Sequence, residues 1–222
     1  RIREENIDNQ LNYRNSLEFY LVKARAEVAN SNNLSSLEEF YLSKQNNNDN
    51  KIKLYKKYGL SLVLKEQKKY EESFKAAREL LKEIPSNLIF QTNILEIHLA
   101  EGNSLEAISV GEKLLNVNSN NFSISYYLAK AYILDNNPEK AEEILINLSK
   151  EYPRDPTVWY ELAEAQGLAG NIIGLHRSRA EYFILTGRYD SAIFQLREGL
   201  KLSKNFFEIR ESIINKLEQI YK

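Results

Sequence analysis

His98 and His176 are the two imidazoles of this 222-residue chain, and they come first because metal-assisted hydrolysis and base-assisted nucleophilic attack both draw on histidine. Neither stands in a reactive pattern. His98 lies on the inner side of a helical stretch, at a position where later units carry Tyr132 and Gln166, so it reads as a packing or groove residue. His176 stands alone in sequence. The chain has no cysteine, which removes disulfides, thiolate zinc sites and thiol nucleophiles together. No HExxH, GxSxG, P-loop or GxGxxG occurs. The carboxylate pairs Glu71-Glu72 and Glu142-Glu143 are neighbours in sequence. Adjacent side chains on a helix point about 100° apart, so neither pair can flank one substrate as glycosidase acids do. The residues present carry no catalytic constellation, and as it stands the chain reads as a non-enzyme without a cofactor or metal site of its own.

Charge narrows the partners. Thirty basic residues against 31 acidic ones leave a net charge of -1, and nucleic acid or acidic lipid is held mainly by an excess of cations. The one local excess is Lys51, Lys53, Lys56, Lys57, Lys65, Lys68 and Lys69, which reads as a solvated helix face. No run approaches the roughly 18 apolar residues of a membrane span. Proteins or peptides, with no nucleic acid and no membrane span, are the expected setting. The chain also has no methionine, even at its first position, and no basic-then-apolar leader, so it is expected to be a region of something longer.

What positions these residues is a repeat. The segments 54–87, 88–121 and 122–155 are each 34 residues long and superpose without a gap. Ser73, Ala107 and Ala141 share one position, where a small side chain lets two helices cross closely. The turns fall at Lys68-Lys69-Tyr70, Gly102-Asn103-Ser104 and Asn136-Asn137-Pro138, where Gly and Asn suit the left-handed end of a helix and Lys68 is the exception. Each unit ends in a breaker, Pro85-Ser86-Asn87, Ser119-Asn120-Asn121 or Pro153-Arg154-Asp155. Pro138 and Pro156 are expected at first helical positions, behind the caps Asn137 and Asp155.

A fourth unit opens at Pro156. The next Gly-turn, Gly187-Arg188-Tyr189-Asp190, then follows Gly170 by half a period. Residues 173–186 are therefore expected to form one helix shared by the fourth unit (156–186) and a fifth (173–204), with Ala192 at its small position and a capping helix over 206–221. Upstream, 15–30 and 35–45 read as helices, the second with Ser35 as cap and Glu38 completing a capping box. Arg1 to Tyr13 reads as a helical lead-in, and Asn46-Asn47-Asn48-Asp49-Asn50 as a loop. The organisation expected is a lead-in over 1–50 and a repeat array over 51–222.

Trp159, Leu162, Ala163 and Gly170 resemble the signature positions of the tetratricopeptide repeat (TPR). The resemblance implies an all-α, right-handed superhelical solenoid of helix-turn-helix units that works by protein binding. The first helix of each unit would line an inner wall, including Tyr58, Leu62, Thr92, Glu96, Tyr126, Lys130, Tyr160 and Glu164. Tyrosines suit such a wall, since each joins broad apolar contact to a polar tip. Some repeats of this kind grip a C-terminal carboxylate with basic residues on this wall. Thr92, Tyr126 and Tyr160 stand where that clamp needs a cation, so the role is excluded.

A narrower resemblance rests on both ends. The run His176-Arg177-Ser178-Arg179-Ala180-Glu181-Tyr182-Phe183, with Gly187-Arg188-Tyr189-Asp190-Ser191-Ala192-Ile193 and Gln195-Leu196, is similar to the C-terminal repeats of periplasmic metallopeptidases of the beta-barrel assembly-enhancing protease (BepA) family. Arg1-Ile2 and Glu18-Phe19-Tyr20-Leu21-Val22-Lys23-Ala24-Arg25 resemble the segment following that family's peptidase domain. The resemblance implies a periplasmic address and a role in outer-membrane protein assembly and quality control. It also implies a separate HExxH domain as the place for zinc, and as partners that domain, the barrel-assembly machinery or its clients. His176, Arg177, Arg179 and Glu181 would face the peptidase domain, or would serve as structural bonds where two units merge. A free-standing TPR adaptor or assembly factor and an RNA-binding helical repeat are the alternative readings of the same sequence.

Overall fold

The computed structural model describes residues 16–43 and 49–221, and among them every regular element is an α-helix. The lead-in over 1–13 and most of the Asn-rich loop lie outside the described residues. The chain divides into two compact units, 1–103 and 104–222, and the division falls inside the second repeat, between its two helices.

In the first unit, α1 (Leu17–Ala29) starts behind Ser16, whose side chain accepts from the Phe19 amide. The next helix, α2 (Leu34–Leu42), is capped by Asn33, which accepts from the Ser36 amide. The expected cap at Ser35 is thus corrected: the helix starts two residues earlier, and Asn33 takes the free amide of Ser36. Glu38 does not turn back to the helix start, because Lys69 takes it at 2.9 Å. Then follow α3 (Asn50–Glu66), α4 (Tyr70–Glu83) and α5 (Leu88–Glu101). Leu21, Ala24 and Val28 of α1 and Tyr41 of α2 share one core with Leu54, Tyr58 and Leu62 of α3. The segment expected as a lead-in is therefore structural. Gly59 permits this packing, since a Cβ there would collide with the Tyr41 ring.

The second unit holds α6 (Ser104–Val117), α7 (Phe122–Leu134), α8 (Pro138–Glu151), α9 (Pro156–Leu168), α10 (Ile172–Leu185), α11 (Tyr189–Leu202) and α12 (Phe207–Tyr221). Leu128, Tyr132, Leu145, Val158 and Leu162 form one core, and Ala180, Ala192, Leu196 and Ile213 a second. The helix α10 packs against both α9 and α11, while α12 lies on α11.

The period is visible in the backbone. Positive φ recurs at the helix ends Lys68, Gly102, Asn136 and Gly170, each 34 residues after the last, and at Gly187, 17 later; Asn120, in the breaker between two repeats, has it as well. After each of these helix ends the following amide bonds back to a carbonyl of the preceding helix: Lys69 to Leu64 (2.8 Å), Asn103 to His98 (2.9 Å), Asn137 to Tyr132 (2.8 Å), Asn171 to Gln166 (2.8 Å) and Arg188 to Phe183 (2.8 Å). That is one helix-ending motif used five times. Lys68 adopts it at φ 61 despite its side chain. Asn87, Asn121 and Asp155 cap the next first helices through Phe90, Ile124 and Thr157 amides. Asn137 is the cap of α8 with Pro138 behind it, but its side chain makes no capping bond. Ser73, Ala107, Ala141 and Ala192 are all fully buried at their helix crossings.

Candidate partner-binding surface

The inner-wall positions separate by unit. In the first unit the open wall expected at Tyr58, Leu62, Thr92 and Glu96 is closed. Tyr58 is 0% exposed, Thr92 and Glu96 are 4% exposed, and Leu62 is in the core. The cause is α1, which packs along α3 and sets the Arg25 guanidinium over the Tyr58 ring at 5.7 Å. Arg25 also holds both oxygens of Glu96, and Lys65 reaches the same carboxylate at 3.2 Å. A buried carboxylate between two cations is a structural lock, since an unpaired charge at that depth would be costly. Thr92 bonds back to the Leu88 carbonyl at 2.7 Å.

Four lysines of the run are likewise occupied. Lys56 is buried and donates to the Phe40 and Ser43 carbonyls at the C-terminal end of α2, where a cation meets the negative end of the helix. Lys57 pairs with Glu79 and Glu83, Lys65 with Glu96 and Lys69 with Glu38. The solvated face expected there is corrected at Lys56 and Lys65, whose stems are packed and whose ammonium groups are spent inside the unit.

In the second unit the wall is open. Tyr160 is 49% exposed, and its ring meets Tyr182 edge-on at 5.6 Å. Tyr182 abuts Phe183, and the Arg188 guanidinium lies over both rings at 5.2 and 4.7 Å. On the preceding repeat Phe122 stacks parallel on Tyr126, which meets Tyr127 edge-on. Behind this aromatic surface sits Glu161, 8% exposed, whose Oε1 accepts from the Tyr126 hydroxyl (2.9 Å) and from Lys130 Nζ (3.0 Å). Burial first, then the Glu161 charge, pushes the Tyr126 phenol well above the ordinary tyrosine range. It stays neutral and donating at physiological pH. Glu164 is exposed one turn beyond Tyr160.

The four residues of the C-terminal run do not form one cluster. His176 Nδ1 meets Gln195 Oε1 at 2.8 Å on α11. Glu181 pairs with Lys216 of α12 at 2.7 Å. Arg177 and Glu181, one turn apart on α10, border a cleft against α8 and α9. Arg179 is exposed and has no ion pair among the described residues. His98, the other histidine, packs its ring on Phe74 at 4.6 Å. Sequence reasoning missed Glu161 and Arg25, because neither position repeats its chemistry at the 34-residue period; only the helix crossings bring them to their partners.

Residues 98–166 match the family model described as tetratricopeptide repeat. The match falls on the stretch where the left-handed turns and the cap residues recur in step. That stretch is similar to tetratricopeptide repeats. In sequence the chain is similar to the "Beta-barrel assembly-enhancing protease" of Yersinia pestis, at 28% identity over 165 residues, 74% of this chain and 34% of that protein. It is equally similar to the protein of that name from Escherichia coli K12, at 28% identity over 178 residues, 80% of this chain and 36% of the other. It thus spans about a third of the length of the curated relatives it matches. A tetratricopeptide repeat protein of Parabacteroides merdae aligns over 93% of this chain and 99% of its own at 16% identity, with a TM-score of 0.32. Among the described residues, no three His, Asp or Glu side chains gather where they could hold a metal ion. No described helix is long and apolar enough to cross a membrane.

Proposed function

We propose that this TPR chain is the partner-recognition region of a periplasmic metallopeptidase of the BepA type, acting in the quality control of outer-membrane protein assembly. Zinc and the peptide-cleaving chemistry belong, in this reading, to a separate peptidase domain. This chain's residues bind and orient protein partners. The observation that carries the reading is the half-exposed Tyr160 ring on the open wall of the second unit, set beside Tyr182 and backed by the pinned Tyr126–Glu161–Lys130 group. An aromatic surface whose rings already pack on one another loses little side-chain entropy on contact, which is what a recognition wall needs. The similarity to the assembly-enhancing proteases over most of this chain supports the choice of partner class.

The test is capture from a Gram-negative envelope extract by the whole chain, wild type against Tyr160→Ala/Glu164→Ala. Both side chains are exposed, so far-UV circular dichroism should not change. Retention of barrel-assembly components by wild type and their loss from the variant is the expected result. Equal capture by both moves the recognition surface away from this wall, and no envelope partner in either arm removes the BepA-type role.

A further inference from the structure

The half-step at α10 leaves a second concave feature in the second unit. Between α8, α9, α10 and the start of α12 lies a cleft of about 560 Å³, within the size range of ligand sites. Trp159, Ile146, Ile173 and Ile209 give it apolar walls. Its polar floor is a closed relay: Ser178 Oγ donates to Gln166 Oε1 (2.7 Å), and Glu142 Oε1 accepts from Gln166 Nε2 (3.2 Å) and Asn171 Nδ2 (2.6 Å). Glu181 is taken by Lys216. Both carboxylates lining the cleft therefore have donors. Its cations do not have acceptors: Arg177 and Lys150 are exposed at the mouth and, among the described residues, pair with no carboxylate.

We propose that this cleft binds a protein segment in which a bulky apolar side chain stands next to an acidic one. The apolar side chain enters between Trp159 and the isoleucines, and the acidic side chain stays at the mouth on Arg177 and Lys150. Charge complementarity sets the orientation. The half-buried Glu142 carboxylate on the floor repels a chain-terminal carboxylate driven inward, so the anion belongs to an internal Asp or Glu and remains outside. The inference rests on the reading of the chain as a protein-binding module, but it uses another face: Trp159 lines the cleft, while Tyr160, next in sequence, meets Tyr182 edge-on.

Fluorescence anisotropy tests it directly, with the full chain titrated into fluorescein-labelled Gly-Glu-Phe-Asp-Gly-Gly. Saturable binding is expected for wild type and for Tyr160→Ala. Arg177→Glu combined with Lys150→Glu should weaken it at least about tenfold, the scale of losing charge-assisted bonds to the ligand. Arg177→Lys, which keeps the charge, should retain most of it, and a probe with Gln and Asn in place of Glu and Asp should bind as weakly as the reversed variant. No binding by wild type, equal binding of the neutral probe, or indifference to the charge reversal overturns the proposal. Envelope capture that depends on Tyr160 while this probe fails would leave the aromatic wall standing and remove the cleft alone.

Discussion

The Tyr126 hydroxyl donates a 2.9 Å hydrogen bond to Glu161 Oε1 across the seam between two consecutive first helices, and Lys130, one turn along from Tyr126, donates to the same atom. One carboxylate thus joins two repeats from beneath the surface on which Tyr160 is exposed. The first unit solves the same problem differently, with Glu96 as the buried carboxylate and Lys65 and Arg25 as its donors.

Removing the Tyr126 hydroxyl tests this seam. Tyr126→Phe keeps the ring packing and takes away one of the two donors to a buried carboxylate, so unfolding in urea should show a loss of about 1–2 kcal/mol. Lys130→Met should cost less, since that side chain is 42% exposed and water screens its charge. An unchanged midpoint for Tyr126→Phe would mean that the seam is held by apolar packing alone.

Alkaline pH should expose four tyrosines as a class. Burial, followed by a bonded carboxylate, raises Tyr41 and Tyr55 against Glu27 and Tyr126 against Glu161, and pushes Tyr132 up to about 12 against Glu112. The fold prefers the neutral phenol, so this stabilisation is complete below the unfolded tyrosine pKa of about 10 and is lost as pH rises above it. Near-ultraviolet phenolate absorbance should therefore rise in two stages, the later one accompanying loss of helical signal. A single titration of all 14 tyrosines before unfolding contradicts it.

The small-residue position should tolerate no bulk. Ala141 is fully buried where α8 crosses its neighbours, and Ala141→Leu should destabilise by about 1–3 kcal/mol through overpacking. Glu143→Leu, on the exposed side of the same helix, should change stability by no more than about 0.5 kcal/mol. Equal effects in thermal unfolding would remove close crossing as the reason for a small residue there.

Lys68 offers a stabilising change. It holds φ 61, a conformation that costs an L-residue about 1 kcal/mol and glycine almost nothing. Lys68→Gly should raise the urea midpoint, partly offset by the greater freedom of glycine in the unfolded chain. A lower midpoint would show that the Lys68 side chain contributes more than its backbone costs.

The helices and their turns were legible because they obey local rules that recur with the period. Asn87, Asn121 and Asp155 cap where breakers end, and Gly102, Asn136 and Gly170 turn where the 34-residue step puts them. Lys68 was legible by register only, its residue type pointing the other way. The capping of α2 was misjudged by two residues because Asn33 and Ser35 are both good caps, and what separates them is which one lies outside the first turn.

The candidate site was legible in half the chain. Period and composition named Tyr126, Lys130, Tyr160 and Glu164 on one helix face, since a face follows from 3.6 residues per turn. They could not decide that Arg25 of α1 would cover Tyr58 and Glu96, because coverage depends on how a helix outside the repeat packs. Nor could they bring Glu161 to Tyr126, 35 residues away, or place Arg177 and Glu142 in the lining of one cleft. The sequence by itself determined the repeat, its turns, its caps and its break in period, all consequences of local backbone preference and side-chain size. Tertiary structure alone decided which wall is open, which charges are spent and where a cleft remains, because burial and pairing belong to helix crossings and not to any single helix.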